Sequence, residues 1–531
     1  MISIQKQIQV GDLMIMQKPQ TLVWGKAVHS SLASERRFMV WSFILIIAAF
    51  CFIGCTRTHI PSDDVTEISE TPSIYPDYTG LVIPPNIAPL NFEIEIPGQE
   101  YVARAFNRSG KEILAEGKTV KWDLKEWQSL LEESKGKKLE FEIFVKDDSG
   151  KWNKYTFSNK VATEEIDPYV SYRLIEPLYN LYGSLSICQR DLTSWDEETV
   201  FNNSTHTTPG RQFCINCHIP RNHYRDGASQ IHVRHHKGGT LIMAGDSIKK
   251  VDMKCDSTLT SGVYTAWHPT LDLIAYSTNE TRQMFFSFSD TRPEVFDLRS
   301  DIILYDMKDN SMKNIASDPN LLETYPNWHP NGEYLYYSAA RYPEGVTPET
   351  EKDHYQYIRY DILRRRFDPD TRTFSDPDTV VYASAQNQSA LHPRISPDGK
   401  WLLYCMAPYG TFHLPHDESD LFMTDLETGE VRPLSNTNSD NSESYHSWSS
   451  NSRWIIFSSR REDGQFTRPY IAYIDKDGVD SKAFIMPQEN PRHYDDLMKS
   501  YNVPEFFVAP FKFSRSQIIE ALDQDPVSAH F

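Results

Sequence analysis

The stretch ISPDGKWLLY, residues 395–404, combines a tight turn with a short apolar strand. Pro397 presets the φ angle that such a turn needs, and Gly399 accepts a positive φ. Four strand-forming residues, 401–404, follow the turn without a charged residue among them. A turn of this kind leading into an apolar run predicts one hairpin of an all-β domain.

The same pattern occurs four times in the second half of the chain. The four segments begin at Tyr264 (YTAWHPTLDLIAYST), Tyr325 (YPNWHPNGEYLYYSA), Leu391 (LHPRISPDGKWLLYCM) and Tyr445 (YHSWSSNSRWIIFSS). The matching anchor residues are Trp267, Trp328, Ile395 and Trp448. A second hairpin-like stretch follows each segment, which gives four strands in every period of about 40–60 residues. Repeats of this length and strand content predict the blades of a β-propeller.

These segments resemble the TolB-like, WD-repeat-like propeller repeat, whose core reads approximately W-S-P-D-G-K followed by an apolar run and Ser. The resemblance covers residues 260–487, although WHPTLDLIAY lacks the turn glycine and WSSNSRWIIF lacks both Pro and Gly. It implies a recognition platform whose partners are envelope proteins or peptidoglycan-associated proteins. The histidines of the two Trp-His-Pro segments, His268 and His329, are expected at blade turns, in structural roles.

We therefore expect an all-β chain with a propeller of five or six blades after a small immunoglobulin-like or fibronectin-like β-sandwich. The expected divisions are an N-terminal extension and signal (1–55), a flexible Pro/Ser/Thr-rich tether (56–80), the sandwich (81–165), the propeller (166–515) and a C-terminal tail (516–531). The segment PEFFVAPFKFS near the end is expected to pair with strands near residue 170 and close the ring.

Composition and charge limit the classes of function. With 28 Tyr, 27 Phe and 11 Trp among 531 residues, the chain can bury a large core. Acidic residues outnumber Lys and Arg by 73 to 54, and the formal net charge is −19. Because such a surface repels phosphate backbones, nucleic acid is not an expected partner.

The N-terminal region predicts export. The uncharged run MVWSFILIIAAFCFIG, residues 39–54, follows Arg36 and Arg37, as in a secretory signal. It is shorter than the roughly 20 residues that span a bilayer. Its end resembles the lipobox of bacterial lipoproteins, with Phe52 where that family usually has Leu. The resemblance implies that Cys55 is lipidated and anchors the protein in the cell envelope, on the periplasmic or the outer-membrane face. A transmembrane anchor or an uncleaved signal is the alternative.

An acidic stretch after that cysteine, SDDVTE, is similar to the export tags of some Bacteroidetes surface lipoproteins. This resemblance implies a lipoprotein of the Bacteroidetes type.

The segment RQFCINCHIP, residues 211–220, contains the order C-x-x-C-H at 214–218. In c-type cytochromes, two such thiols add to the porphyrin vinyl groups and the adjoining histidine ligates the iron. This attachment takes place after export, so motif and compartment agree. We predict a covalent haem c held by Cys214 and Cys217, with His218 as the proximal ligand. Outer hairpin-like stretches on both sides place this segment at the inner hairpin of a degenerate extra blade.

A sixth iron ligand is expected nearby. His232 is the candidate, and His223, His235 and Met243 are the alternatives. Histidine or methionine at that position would give an electron-transfer or sensing haem, whereas an empty position would admit a small ligand.

Other chemistries remain open for the same cysteines. The motif and the neighbouring histidines, His218 and His232 among them, would also suit zinc. A redox dithiol or a plain disulfide between Cys214 and Cys217 is a further alternative.

Three cysteines lie outside the motif and the signal. A disulfide between Cys188 and Cys255 would brace the blade in an oxidising compartment. Cys405 is expected to be buried and inert. No pairing follows from the sequence alone.

Three functional hypotheses result, and the first two are the better supported. The first is an envelope-anchored haem lipoprotein that acts in electron transfer or redox sensing with a redox partner. The second is a propeller binding or scaffold protein of the envelope without a redox role. The chain has no G-x-S-x-G, P-loop or G-x-G-x-x-G motif. We therefore assign no catalytic residue, and enzymatic action on a glycan or peptide in the channel is the least supported hypothesis.

Overall fold

The computed structural model describes residues 59–62, 64–176, 184–207, 211–216, 218–284, 292–348, 350 and 354–531. The signal-like run and Cys55 lie outside these ranges. Within the described ranges, no helix is both long and apolar enough to cross a membrane. The described chain consists mainly of β-sheets, which confirms the predicted all-β class.

An N-terminal sandwich comes first. Its strands are β1 (Val65–Glu67), β2 (Ile74–Tyr75), β3 (Val82–Ile83), β4 (Phe92–Ile94), β5 (Glu100–Asn107), β6 (Glu112–Glu116), β7 (Thr119–Val120), β8 (Lys138–Lys146) and β9 (Trp152–Val161). One sheet has the order β1-β9-β8-β5-β6 with β3 also paired to β9, and the other has the order β2-β4-β7. Burial alternates along β6, as in a strand with one face on a core.

The predicted tether is shorter than the sequence suggests. β1 pairs in parallel with β9, and β2 pairs with β4. Much of segment 64–80 therefore belongs to the sandwich, which corrects the assignment of residues 56–80 to a flexible tether. Thr66 and Glu67 are exposed, so the composition of this segment is polar although its backbone completes a sheet.

A single long helix packs in this sandwich, α1 (Leu124–Glu133). The side chain of Asp123 caps it by accepting hydrogen bonds from two backbone N–H groups of the first turn. Trp127, Leu130 and Leu131 form its buried face, at the spacing of one helical stripe.

Six further sheets, all within the described residues, form the blades of a propeller. Blade 1 contains β10 (Tyr169–Ile175), β11 (Ser186–Asp191) and β12 (Glu197–Asn202); blade 2 contains β13 (Phe213–Asn216), β14 (Ser229–His235), β15 (Gly239–Ala244) and β16 (Ser247–Asp252); blade 3 contains β17 (Val263–Trp267), β18 (Leu273–Met284), β19 (Glu294–Asp306) and β20 (Ser311–Ala316). Blade 4 contains β21 (Leu321–Trp328), β22 (Tyr334–Arg341), β23 (Tyr360–Asp368), β24 (Thr373–Phe374) and β25 (Asp378–Val381); blade 5 contains β26 (Ser389–Ile395), β27 (Trp401–Ala407), β28 (Asp420–Asp425) and β29 (Val431–Pro433); blade 6 contains β30 (Glu443–Trp448), β31 (Trp454–Ser459), β32 (Arg468–Tyr473) and β33 (Phe484–Ile485).

The C-terminal strand closes the ring. After the short helix α2 (His493–Asp496), β34 (Ser500–Phe507) pairs antiparallel with β10 and becomes the innermost strand of blade 1. In this register Val170 lies opposite Phe506. The predicted pairing of the C-terminal segment with residues near 170 is thereby confirmed.

The last residues are not a free tail. Helix α3 (Arg515–Asp523) begins with a capping box at Ser514, and β35 (Val527–Ser528) pairs in parallel with β16 of blade 2. The segment predicted as a tail, 516–531, therefore extends the sheet that carries the C-x-x-C-H segment.

Neighbouring blades are joined through the repeated turns. The Nε2–H of His268 in blade 3 donates to the carbonyl of Gly332 in blade 4 at 3.2 Å. Its Nδ1 accepts from the backbone N–H of Leu271 at 3.0 Å, which leaves the ring proton on Nε2. His329 makes the same contact with the carbonyl of Gly399 in blade 5 at 3.3 Å. Both histidines therefore have the structural role expected of them.

We expect Gly332→Ala to destabilise the propeller more than Gly429→Ala. Both glycines have φ near +76°, so alanine pays the same backbone penalty of about 1–2 kcal/mol at each. At Gly332 the new Cβ would also lie 2.7 Å from Cε1 of His268, whereas at Gly429 no atom lies within 4 Å. Urea denaturation of both variants measures the difference. Equal losses would show that the contact between blades 3 and 4 contributes little.

Candidate functional site

A cavity of about 1220 Å³ lies along the axis of the propeller. Its wall includes residues of the innermost strands of all six blades, β13, β17, β21, β26, β30 and β34. It reaches the surface at the exposed residues Arg234, His235 and His236, beside the C-terminal segment 522–526. A central cavity with an opening to solvent is a common setting for a binding site.

Four consecutive inner strands break their pairing at the same place. Each has a bulge, and the residue at the bulge lies in the left-handed region: Tyr264 (φ 48°), Tyr325 (54°), His392 (57°) and Tyr445 (47°). Val503 of β34 has φ 51° beside a bulge in its pairing with β10. Left-handed backbone is uncommon for residues other than glycine, and it is concentrated at functional sites.

These bulges place an arc of aromatic rings in the cavity wall. The ring centroids of Tyr264 and Tyr325 are 4.4 Å apart, those of Tyr325 and His392 are 3.9 Å apart, and those of His392 and Tyr445 are 4.7 Å apart. All four residues line the cavity. We call them the aromatic arc.

The polar atoms of the arc are only partly engaged. The hydroxyl of Tyr325 donates to the carbonyl of Thr411 at 2.8 Å. Burial lowers the pKa of His392 well below its usual value, so its imidazole is neutral. Its buried Nε2 has no hydrogen-bond partner in the described part of the chain. The arc thus presents flat apolar faces together with an imidazole nitrogen.

Sequence reasoning recognised the arc positions only as the first aromatic or apolar residue of each repeat. The usable signal is the spacing Tyr-x-x-Trp, which occurs at Tyr264, Tyr325 and Tyr445. In blade 5 the matching pair is His392 and Ile395. The bulge that turns these rings into the channel was not predicted.

The C-x-x-C-H segment also lies at the channel. Cys214 belongs to β13, the innermost strand of blade 2, opposite Arg234 of β14. It is 6% exposed and lines the cavity. Cys217 lies outside the described residues. The segment therefore occupies the inner part of an additional blade, as predicted, and whether it holds haem or zinc is a separate question.

His218 is buried between blades 1 and 2, with 3% of its surface exposed. Burial, followed by the positive charge of Arg173, lowers its pKa to about 4, so the imidazole is neutral. Neither ring nitrogen reaches a partner at hydrogen-bonding geometry among the described residues, although the backbone of Ser171 and Val503 favours its charged form slightly. A neutral buried imidazole whose two nitrogens lack well-placed hydrogen bonds has the chemistry of a metal ligand.

His232 lies on the same sheet, opposite Asn216 in the next strand, and lines the cavity. Burial lowers its pKa to about 3. Its Nδ1 lies 3.0 Å from the hydroxyl of Thr240, an arrangement that orients a histidine ring and defines its tautomer.

The three alternative sixth ligands, His223, His235 and Met243, lie in environments that differ from that of His232. Nε2 of His223 lies 3.0 Å from the carbonyl of Trp448 in blade 6, and Met243 is fully buried in an apolar cluster. His235 is exposed at the cavity opening. Of these alternatives only His235 lines the cavity with His232.

No group of three or more His, Cys, Asp or Glu side chains suited to a metal ion occurs among the described residues. Since Cys217 is not one of them, this finding does not test a site that includes that cysteine. Zinc stays an alternative.

The predicted brace between Cys188 and Cys255 is absent, because both thiols are free. Cys188 lies in an apolar cluster with the sandwich and Cys255 beside a different cluster, which explains why they do not pair. Cys405 is fully buried, and burial raises its pKa to about 12. It is therefore inert as expected.

A buried acid group lies behind the arc. Asp297 of β19 is 3% exposed, and burial raises its pKa to about 7. The amide of Asn279, which lines the cavity, donates to its carboxylate at 2.8 Å. Because Asp297 itself does not line the cavity, we assign it to the support of the channel wall.

No protein-family model matches the chain, and no curated protein matches it. Among solved structures it is similar to TolB from Acinetobacter baumannii, with 14% identity over 69% of this chain and 78% of TolB and a TM-score of 0.38. It is also similar to prolyl oligopeptidase B from Galerina marginata (11% identity, 60% of this chain, 44% of that enzyme, TM-score 0.34) and to a puromycin-hydrolysing peptidase from Mycobacterium tuberculosis (8%, 67%, 52%, TM-score 0.34). The chain thus spans about half the length of these two peptidases. Similarity at this level assigns no function, and the fold assignment rests on the strand pairing itself.

We expect Asp297 to stabilise the protein less as the pH rises towards about 7, so that between pH 5 and pH 8 the parent loses more stability, or gains less, than Asp297→Asn. Folding raises the pKa of Asp297 from its ordinary value to about 7. Its contribution is therefore complete below pH 4 and disappears as the pH passes 7. Burial also raises the pKa of Glu323 to about 7, so some of the slope remains in the variant.

Urea denaturation at pH 5 and pH 8 measures this slope. Asp309→Asn, at an exposed position, is the control. An unchanged slope in Asp297→Asn would contradict the assignment.

Proposed function

We propose that this chain is a lipid-anchored binding protein of the cell envelope whose propeller channel receives a segment of another envelope protein. The aromatic arc carries the proposal. Four blades hold a non-glycine residue in left-handed backbone at the same position of the channel wall. Each such residue costs of order 1–3 kcal/mol. Strain that recurs at the same position of four neighbouring blades, with all four residues lining one cavity, supports a site that selection has maintained for binding.

The shape and chemistry of the cavity support the same proposal. Its volume exceeds the roughly 300–1,000 Å³ of most small-molecule sites, which suits an extended segment. Aromatic faces supply contact area at low entropic cost. The envelope location rests on the signal-like run and Cys55, which remain predictions.

Photo-crosslinking in the envelope tests this proposal. We expect p-benzoylphenylalanine at Ser261, in the cavity wall, to form a discrete protein adduct. The same residue at Val431, on the exposed outer strand of blade 5, serves as the control. Absence of an adduct from the Ser261 position, or equal adducts from both positions, would reject the channel as the binding site.

A second candidate function is electron transfer or redox sensing by a haem c at the channel wall. The observation that favours it is the state of His218, which is buried, neutral and without a well-placed hydrogen bond beside Cys214. Cys214 and Cys217 would hold the porphyrin, His218 would ligate the iron, and His232 is the candidate sixth ligand. When bound, haem supplies one-electron chemistry.

A pyridine haemochrome spectrum tests this second candidate. The protein is exported in a bacterium with active cytochrome c maturation, beside a Cys214→Ala/Cys217→Ala variant and a Cys405→Ala control. We expect covalent haem in the parent and in the control and none in the double variant. A folded, exported parent without covalent haem would eliminate the redox function and leave the binding function standing.

A further inference from the structure

We propose that Arg173 is a carboxylate-binding residue in the channel wall. The inference deepens the proposed binding function, on which it rests, by naming the chemistry of the group that the channel receives. It is carried by a buried positive charge that faces the cavity without an acidic partner.

Arg173 belongs to β10, the strand on which the ring closes, and is 8% exposed. One terminal nitrogen donates to the carbonyl of Ile215 at 3.3 Å, and the other donates to Oδ1 of Asn502 at 2.9 Å. Its Nε has no hydrogen-bond partner among the described residues. The side chain lines the cavity, so this unsatisfied donor belongs to a residue that borders open space.

No ion pair between described residues includes Arg173, whereas three of the five acidic residues that line the cavity already have a basic partner. Glu505 pairs with Arg394 at 2.6 Å, and Glu280 pairs with Arg299 at 2.9 Å. Asp523 pairs with Lys237. The cavity thus satisfies these acids and leaves the guanidinium of Arg173 with neutral oxygens only.

A buried charge held by neutral groups is costly, and an anion that reaches it recovers much of that cost. A carboxylate matches the planar fork of a guanidinium through two parallel N–H···O hydrogen bonds, and it is the anionic group that an unmodified protein segment carries. The exposed Arg234 at the opening of the cavity adds positive potential along the route, in a protein whose net charge is −19.

Two sources can supply this carboxylate. One is an acidic side chain or C-terminus of the segment that enters the channel. The other is a propionate of a covalently held haem, since Arg173 donates to the carbonyl of Ile215, the residue next to Cys214 in β13. The chemistry of recognition is the same in both cases.

Arg190 provides a matched control on the neighbouring strand β11. It is also buried, it donates to Oε1 of Gln488 and to the carbonyl of Pro487 at 2.9 Å each, and its Nε has no described partner. It does not line the cavity. Arg190→Gln therefore removes a buried guanidinium without altering the proposed site.

The experiment measures thermal unfolding of the exported protein with increasing citrate, used as the probe, against sodium chloride at equal ionic strength. We expect citrate to raise Tm saturably in the parent. We expect Arg173→Gln to weaken this response by about tenfold or more, because a charge-assisted bidentate contact is lost. Arg190→Gln should begin at a lower Tm and keep the response. Arg173→Lys, which keeps the charge, should keep part of it.

The absence of any citrate response beyond salt in both the parent and the Cys214→Ala/Cys217→Ala protein would overturn the inference, whatever the crosslinking at Ser261 shows. An undiminished response in Arg173→Gln would also overturn it. If Arg173→Gln does not fold, the parent response and the graded loss in Arg173→Lys decide the matter. A response in the Cys214→Ala/Cys217→Ala protein that is lost in haem-loaded protein identifies a propionate as the source, and a response in both identifies the carboxylate of a free ligand.

Discussion

The antiparallel pairing of β34 with β10 is the contact on which the propeller depends. It joins residues more than three hundred positions apart, for example Val170 and Phe506. Without it, blade 1 would lack its innermost strand and the ring would stay open. The pairing also builds the channel, because Asn502, Val503 and Glu505 of β34 line the cavity together with Arg173 of β10. Contacts of such long range form late and slowly in folding. The site therefore exists only in the completed ring.

The repeated turns explain why the propeller could be recognised from sequence. The turn needs a Pro and a Gly at positive φ, and the strand after it needs an apolar run. Because these requirements are local, the pattern is visible within a short stretch of each blade's sequence. The link between His268 and Gly332 shows that the same residues also join neighbouring blades. The closing strand was predictable because a ring of blades leaves one strand to be supplied by the other end of the chain.

Other parts of the fold could not be predicted from the sequence, because they depend on contacts that amino-acid composition does not indicate. Residues 65–67 look like tether because their side chains are polar, yet their backbone pairs with β9. The C-terminal residues were assigned to a tail, yet Ile518 and Leu522 of α3 are buried and β35 pairs with β16. A disulfide between Cys188 and Cys255 was proposed because both cysteines lie outside the motif and the signal, although each packs against a different apolar cluster. The aromatic arc was missed because a bulge changes which face a residue presents, and Tyr, the residue at three of the four bulges, does not favour positive φ.

The channel wall combines two features that are costly in isolation, the strained aromatic positions and the buried charge of Arg173. A fold that needed only stability would favour Asn or Gly at the bulges and an acid beside the guanidinium. The binding and the redox hypotheses differ in the identity of the ligand, but they agree on why such a wall would persist. His392 and Arg173 each have an unsatisfied nitrogen and line the same cavity, so a single occupant that carries a carboxylate and a flat apolar surface would contact both. A cost that one ligand can offset is compatible with selection for function.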